Sequence, residues 1–439
     1  MTTAEPITHP RVLRIAIPIV LANLTVPFQG IADTAVIGQI PDATPLAAVA
    51  VGAALLTTLL WVFSFLRMGT AGLTAQAMGA GDRAEVTALL IRALMIGGAG
   101  GLLLIPLMGP IAAIGFGVSP ASAAVKDLAA DYMDIRILSA PAAVAIFGIN
   151  GWLGAQERTR SMLVLQLWIV SLNITLNLVF VFGMDLGVKG VAWATVCADW
   201  SGLALALWLC RGAFANPAWR DWARVFDRAR LRVLAAVNTD ILIRSLLLEM
   251  IILSFVFYYS AGFGVVTLAA SHVLLHFIEL MAYALDGFAF AAEAMVGQAV
   301  GARAIARLRR AVRITSFWGL VVNAGFATVF ALLGGTIIDA MTKDPQVQQA
   351  ARLYLPWIVM VPLVGLPAWM LDGIFIGATR TRDMRNMMAI SVVIYFLAIT
   401  ALIPILGAHG MWAALMIAFL ARGATLALKY PSLERSVQA

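Results

Sequence analysis

The chain alternates long apolar runs with short polar connections, and each run is long enough to cross a lipid bilayer. A transmembrane helix needs about 20 consecutive, mostly apolar residues. Runs of that length occur at residues 13–39, 46–76, 87–110, 128–155, 161–183, 188–210, 232–259, 265–299, 311–334, 350–378, 387–406 and 410–429. The pattern therefore predicts an all-α polytopic membrane protein with twelve transmembrane helices.

Two pairs of motifs recur along the chain at a constant offset of 222 residues. They are TAQAMGAGD at 74–82 with MVGQAVGAR at 295–303, and NGWLGAQERTR at 150–160 with DGIFIGATRTR at 372–382. Such internal repeats are typical of transporters built from two copies of a bundle. We expect two six-helix lobes related by a pseudo-two-fold axis along the membrane normal. The N-lobe would span 1–210, a cytoplasmic linker 211–231 and the C-lobe 232–439.

Composition and charge agree with a membrane protein and predict its orientation. The chain is 62% hydrophobic and 12% charged, whereas about a quarter of a soluble chain is charged. Arginines concentrate in alternate connections, while the other connections contain only Lys126, Lys189 and Lys343. The positive-inside rule then places both termini in the cytoplasm and the chain in the inner (plasma) membrane. Because topology accounts for the net charge of +7, no nucleic-acid partner is expected.

The first apolar run carries an acidic residue that hydrocarbon does not tolerate without a partner or water. Thr25, Gln29 and Asp33 recur at intervals of four residues and share one helical face. An acid at membrane depth is a functional candidate by default. Pro18 and Pro27 each remove one helical hydrogen bond, so we expect this helix to bend at a hinge.

Helices 5 and 6 supply polar side chains that could surround Asp33. Asn173 and Asn177 are one turn apart on helix 5, and Thr195 and Asp199 are one turn apart on helix 6. If helices 1, 5 and 6 converge, the pocket would hold a proton or a small cation. For the two asparagines, hydrogen bonding between helices without a further function is an equal alternative.

Helix 8 carries a continuous polar stripe, which cannot face lipid and should line an aqueous cavity or meet polar partners. The stripe contains His272, His276, Glu279, Tyr283, Asp286 and Glu293, and it is broken only by Phe290. Candidate partners are Arg244, Glu249 and Asp372, although Asp240 and Arg244 could instead neutralise each other one turn apart.

Polar and aromatic residues of the C-terminal half fit two further roles. His272, His276 and Glu279 resemble a metal-ligand set, but nothing supplies a clear second shell, so no metal is expected. Trp369 and Tyr283 could stack on a planar cationic ligand, or they could simply pack against neighbouring helices.

The sequence lacks the motifs of the common energy-coupling and covalent mechanisms. It contains no GxxxxGK[ST] phosphate loop and no recognised nucleophile motif, and lysine is scarce. We therefore expect a transporter that is not an enzyme and that uses no cofactor. An intramembrane hydrolase or acyltransferase using His272 or His276 with Glu279 as base is an alternative from a different class.

Four stretches together resemble the multidrug and toxic compound extrusion (MATE) family, in its DNA-damage-inducible (DinF-like) branch. They are IAIPIVLANLTVPFQGIADTAVIG, LRMGTAGLTAQAMGAGD, ALDGFAFAAEAMVGQAVGA and LDGIFIGATRTRDMRN. The resemblance covers essentially the whole chain and implies two lobes around a cleft. In DinF-like members the helix-1 acid, here Asp33, is linked to protonation and to bending at a proline, here Pro18. The helix-5 partners match Asn173 and Asn177, and Asn177 stands where archaeal relatives often carry Asp.

The resemblance implies export of amphipathic, mostly cationic drugs or metabolites in exchange for protons. The transporter would work by alternating access, as a monomer in contact with membrane lipids. Sodium is the alternative coupling ion, for which Glu249 and Asp372 could stand in the positions of acids on helices 7 and 10. A flippase for lipid-linked precursors is a further alternative, which a basic central cavity would favour.

Overall fold

The computed structural model describes residues 6–40, 42–118, 121–215 and 217–438. Within these ranges the chain is helical and contains no strand. Twelve helices are long and apolar enough to cross a membrane, as the hydrophobic pattern predicts. In chain order, α1 to α12 span His9–Ile37, Ala43–Gly79, Arg83–Gly117, Ala123–Ala155, Thr159–Gly183, Gly187–Leu209, Arg228–Ser260, Val265–Gly301, Ile305–Met341, Pro345–Gly377, Thr381–Leu406 and Ala408–Gln438.

The backbone confirms the internal repeat at the turns that end the helices. Left-handed φ angles, which L-residues rarely adopt, occur at eight described residues, and six of these form three pairs separated by the predicted 222 residues. Gly81 (φ 75°) pairs with Arg303 (φ 53°), Glu157 (59°) with Thr379 (51°), and Asp185 (54°) with Gly407 (57°). Equivalent helices in the two halves therefore end in the same way, even where glycine is replaced.

Packing divides the chain into two compact units whose boundaries do not follow sequence order. One unit contains the chain up to Val20, residues 75–81 and the chain from Val233 onward. The other contains Leu21–Thr74 and Asp82–Arg232. The first part of α1 thus belongs to one unit and the remainder, including Pro27 and Asp33, to the other. The lobe boundaries at 210 and 232 stay a prediction.

Each unit has an apolar core formed by its own helices. In the unit that contains Asp33, the core includes Ile37, Leu66, Met133 and Val191, all fully buried. In the other unit, the rings of Phe255 and Trp412 meet edge to face at 4.8 Å inside the core.

The recurring glutamine and glycine residues of the repeat form a reciprocal contact, here called the glycine seam (Gln76, Gly79, Gln298 and Gly301). A Cβ atom on Gly79 would collide with the backbone carbonyl of Gln298, and one on Gly301 with that of Gln76. The Gln76 amide also donates to the carbonyl of Gly377 at 3.1 Å and to Thr379 Oγ1 at 2.9 Å. The seam explains why residues 75–81 pack with α8 and α10.

Gly301→Ala is expected to destabilise the protein by about 1–3 kcal/mol, because the added methyl group meets rigid backbone. Thermal unfolding of the purified protein measures the loss. Gly98→Ala on α3 is the matched control, since a Cβ there has nothing within 4 Å. Equal unfolding temperatures for the two variants would contradict the seam.

Candidate functional site

Four polar side chains from three helices form a hydrogen-bonded chain around Asp33. Asn177 Nδ2 donates to Asp33 Oδ1 at 2.6 Å and to Asn173 Oδ1 at 3.2 Å. Asn173 Nδ2 in turn donates to Thr195 Oγ1 at 3.0 Å, and Thr195 donates to the carbonyl of Val191 at 3.1 Å. The helical spacing of Asn173 and Asn177 places both amides on one face. Helices 1, 5 and 6 therefore converge as the sequence suggested.

The chain of hydrogen bonds adjoins a cavity of about 300 Å³. Asp33, Gln29 and Thr195 contribute polar groups to its wall, together with Tyr132 and Arg136 from α4. The rest of the lining comes from Val26, Pro27, Gly30, Ala53, Leu56, Thr57 and Leu60. Asn173 and Asn177 are fully buried behind this wall. The carboxylate thus lies at the junction between a polar wall and a mostly apolar one.

A buried ion pair lies beside the cavity and determines its charge. Arg136 Nη1 lies 3.1 Å from Asp199 Oδ2 and also donates to Ser139 Oγ. Asp199, a predicted coupling residue, is therefore neutralised by Arg136 and is not part of the cavity wall. The opposite charges of Arg136 and Asp199 cancel within their ion pair, so ionisation of Asp33 adds one negative charge beside it.

The helix that carries Asp33 is continuous through Pro18 and Pro27, the two prolines that lie beyond its first turn. α1 extends from His9 to Ile37 without a break, although Pro18 and Pro27 each lack the N–H that would bond one turn back. The border between the two compact units falls after Val20, between the two prolines. Pro27 lines the cavity, whereas Pro18 belongs to the other unit.

In the other unit, a single carboxylate binds two arginines. Arg244 on α7 and Arg422 on α12 both donate to Asp372 Oδ2, and all three residues are buried. Trp369, one turn before Asp372, lies under the Arg422 guanidinium at 5.6 Å and packs against Phe419 at 5.1 Å. The tryptophan considered for ligand stacking is therefore engaged by a cation of the protein itself.

The alternative in which Asp240 neutralises Arg244 is wrong. Asp240 Oδ1 instead accepts from Arg385 at 2.6 Å and Oδ2 from Thr381 at 3.2 Å. Both partners lie on α11, so tertiary contacts replace the local pair. Arg385 reaches Asp240 from another helix through a single N–H, a contact that a one-turn spacing rule does not capture.

The polar stripe of α8 changes in exposure along its length. His272, His276 and Glu279 are exposed, and His276 Nδ1 lies 3.0 Å from Glu279 Oε2. Tyr283 and Asp286 are half-buried, and Asp286 is close enough to Arg244 to contribute to its electrostatic field. Glu293 is buried, while Glu249 lies half-buried on α7. The described residues contain no group of three side chains suited to a metal ion.

Sequence reasoning missed three residues that the structure places in these clusters, namely Tyr132, Arg136 and Arg422. Arg136 did carry a signal, because it is an arginine inside a predicted transmembrane run, at 128–155, where a charge needs a partner. Tyr132 and Arg422 had no comparable pattern, since their partners are distant in sequence.

Comparisons with known proteins give one family. Residues 18–179 and 242–400 match the family model MatE. The chain is 37% identical over 422 residues to DNA damage-inducible protein F of Escherichia coli (strain K12), covering 94% of this chain and 90% of that protein. It is 28% identical over 452 residues to the probable multidrug resistance protein NorM of Bradyrhizobium diazoefficiens, covering 96% and 93%.

Solved structures agree on the fold. The Vibrio cholerae MATE transporter VcmN in the bent form superposes with a TM-score of 0.89 at 21% identity, covering 98% of this chain and 97% of that chain. A MATE structure in the straight conformation gives a TM-score of 0.82 at 18% identity, covering 97% of each chain.

Asp372→Ala is expected to destabilise the protein by about 3–5 kcal/mol, because two buried guanidinium groups lose their shared partner. Thermal unfolding of the purified protein tests this. Asp339→Ala is the matched control, since Asp339 pairs with Arg352 at 2.5 Å with both side chains exposed. Such a pair contributes less than about 1 kcal/mol. Equal losses of stability in the two variants would show that Asp372 is not a shared counter-charge for Arg244 and Arg422.

Proposed function

Because the chain belongs to the MatE family of membrane transporters, we propose that it exports amphipathic, mostly cationic compounds in exchange for protons, with Asp33 as the coupling group. The protein is a multi-pass inner-membrane transporter and not an enzyme. The proposal extends to its orientation, with both termini in the cytoplasm, and to its action as a monomer in contact with membrane lipids. The names of its relatives support drugs as cargo, since they include several multidrug resistance proteins.

The proposal rests on one observation. The carboxylate of Asp33, which is negatively charged when ionised, lines a cavity whose other walls are largely apolar. Ligand pockets are mostly apolar and contain a few placed polar groups. An amphipathic cation matches this arrangement, since its apolar part contacts residues such as Leu56 and Leu60 and its charge faces Asp33. A proton and a cationic drug then neutralise the same carboxylate, so each disfavours binding of the other.

Protonation of Asp33 is proposed to drive the conformational change. In an outward-facing state a proton reaches Asp33 and removes the cost of burying its charge. Helix 1 then rearranges about Pro18 or Pro27, the cavity collapses and the drug leaves. The inward-facing state takes up the next drug from the cytoplasm or the inner leaflet. Coupling requires that proton and drug prefer different states of one equilibrium.

The neighbouring side chains are proposed to tune this step rather than to carry the proton. Asn177 stabilises the ionised carboxylate by donating to it, and Asn173 and Thr195 fix the direction of that amide. Gln29 adds a polar contact on the cavity wall, while Arg136 keeps Asp199 neutralised. A single acid then titrates in the pocket.

Protons are favoured over sodium as the coupling ion by the surroundings of the two candidate acids. Asp372, the acid considered for sodium coupling, is bound by Arg244 and Arg422, and two guanidinium groups repel a cation. Its described contacts do not include Glu249. A lipid-linked precursor flippase is disfavoured because the one arginine of the cavity wall is already paired with Asp199.

Asp33→Asn is expected to abolish export, because the amide side chain cannot exchange a proton with the medium. Cells that produce the variant should accumulate a fluorescent organic cation to the level of cells without the transporter. Asp131→Asn is the matched control, since it removes an exposed carboxylate, paired with Lys189 at 3.1 Å, from the same half. Normal export by Asp33→Asn at equal expression would refute the assignment.

Pro18→Ala is expected to slow drug efflux several-fold without lowering thermal stability, because the restored hydrogen bond favours an unbent helix. Efflux rates in proteoliposomes measure this, with Pro106→Ala on α3 as control for loss of a proline within a helix. If Pro27→Ala slows efflux and Pro18→Ala does not, the hinge lies at Pro27. Wild-type rates for both variants would exclude a proline hinge.

A further inference from the structure

The connection between α6 and α7 is folded rather than extended. It contains a helical turn at Arg211–Phe214, a 3₁₀ turn at Pro217–Arg220 and a second helical turn at Trp222–Val225. Because it joins the ends of two spanning helices, it lies at the level of the membrane surface.

Buried contacts hold this connection against the beginning of α3. Arg92 donates to the carbonyls of Val225 at 2.8 Å and Arg224 at 2.6 Å, and lies 2.6 Å from Glu85 Oε1. Val225 is fully buried against Ala88 and Ile91. The connection therefore presents a fixed surface.

The acids of this region are already used in internal contacts. Asp82 lies 3.1 Å from Arg224, and Glu85 also contacts Arg230. Within the connection, Asp221 lies 3.6 Å from Arg224, and Asp227 accepts from the backbone N–H of Arg230 at 2.8 Å. Partial burial alone would raise the pKa of Asp82, but the hydrogen bond from the Glu85 backbone N–H and the charge of Arg224 lower it below its ordinary value. Since a lowered pKa keeps the Asp82 carboxylate ionised at neutral pH, its contact with Arg224 persists there and weakens only as the pH falls through the lowered pKa.

Four other arginines, Arg211, Arg220, Arg228 and Arg232, are exposed, and none has an acidic partner among the described residues. The guanidinium groups of Arg211 and Arg220 lie over the rings of Trp208 at 4.0 Å and Trp219 at 4.6 Å. Three large aromatic side chains are exposed beside them: Trp208 (57%), Trp222 (51%) and Phe226 (53%). We call these four arginines and three aromatic residues the linker patch.

We propose that the linker patch binds the headgroups of anionic phospholipids in the cytoplasmic leaflet. Arginine matches a phosphate through paired N–H donors, and basic groups beside a membrane attract anionic lipids. Exposed aromatic rings prefer the headgroup level of a bilayer, which favours a lipid over a soluble anion. The side of the membrane follows from the proposed orientation of the transporter.

The test is a titration of the purified full-length protein in detergent with phosphatidylglycerol or phosphatidylcholine, followed by native mass spectrometry. The variant Arg211→Gln/Arg220→Gln/Arg228→Gln/Arg232→Gln should lose about tenfold or more in affinity for phosphatidylglycerol. Its affinity for phosphatidylcholine should not change. Raising the salt concentration should weaken wild-type binding.

The matched control removes four exposed arginines outside the patch, as Arg160→Gln/Arg310→Gln/Arg313→Gln/Arg382→Gln. This control should keep the wild-type affinity for phosphatidylglycerol. If it loses as much affinity as the patch variant, lipid binding depends only on the net charge of the protein, and the proposal is overturned. If the patch variant folds poorly, the corresponding Arg→Lys variant should restore folding and most of the binding, and its failure to bind would also count against the patch.

Inorganic phosphate should not compete with the lipid. Competition would show that the linker patch is a site for soluble anions and would overturn its assignment to lipids. Unchanged binding by the patch variant would overturn the proposal outright. Because the titration measures no transport and does not depend on orientation, its outcome is separate from that of proton coupling by Asp33.

Discussion

A charge within a hydrocarbon layer must meet a counter-charge, a hydrogen-bond donor or water, and this constraint determines where the polar side chains of the spanning helices lie. Asp372 satisfies this constraint by binding two arginines, Arg244 and Arg422. Asp199 pairs with Arg136, and Asp240 accepts hydrogen bonds from Arg385 and Thr381. Asp33 meets it differently, because its described hydrogen bond comes from a neutral amide and it faces a cavity. Among these acids Asp33 is the one that forms no ion pair with an arginine in the described part of the chain, although Arg136 lines the same cavity.

The two halves share the same helices and turns, but their buried acids lie at different positions. At the repeat offset of 222 residues, Asp33, Asn173 and Asn177 correspond to Phe255, Tyr395 and Ile399. All three counterparts are fully buried in the apolar core of the other unit. The repeat therefore preserves the helices and their turns. One copy has an acid–amide cluster, and the other has buried core side chains at the equivalent positions.

The twelve helices, the internal repeat and the cluster of polar residues around Asp33 could be predicted from the sequence, and each prediction has a physical reason. Hydrocarbon imposes a length and a composition on every span, so hydropathy alone finds the helices. Asp33, Asn173 and Asn177 stood out because polar residues on one face of an apolar helix need a partner. Their spacing of four residues placed each set on one helical face, but it did not predict that Asp199 would pair with Arg136.

The partners of the arginines could not be predicted from the sequence in this way. Arg422 is 50 residues from Asp372, and Arg244 is 128 residues from it. No periodicity connects such positions, and a long arginine side chain can reach several acids. The local rule that paired Asp240 with Arg244 failed because it considers one helix only. The division of α1 between two packing units is likewise a tertiary property, which the polar linker at 211–231 did not reveal.

The central claim is that the energy of a proton gradient enters through Asp33. The most direct measurement is efflux of a fluorescent organic cation from proteoliposomes, with a proton gradient and a sodium gradient imposed separately on wild-type protein and on Asp33→Asn. The account predicts that the proton gradient alone drives efflux by the wild type and that neither gradient drives efflux by the variant. Efflux driven by sodium alone, or proton-driven efflux that survives in Asp33→Asn, would contradict it.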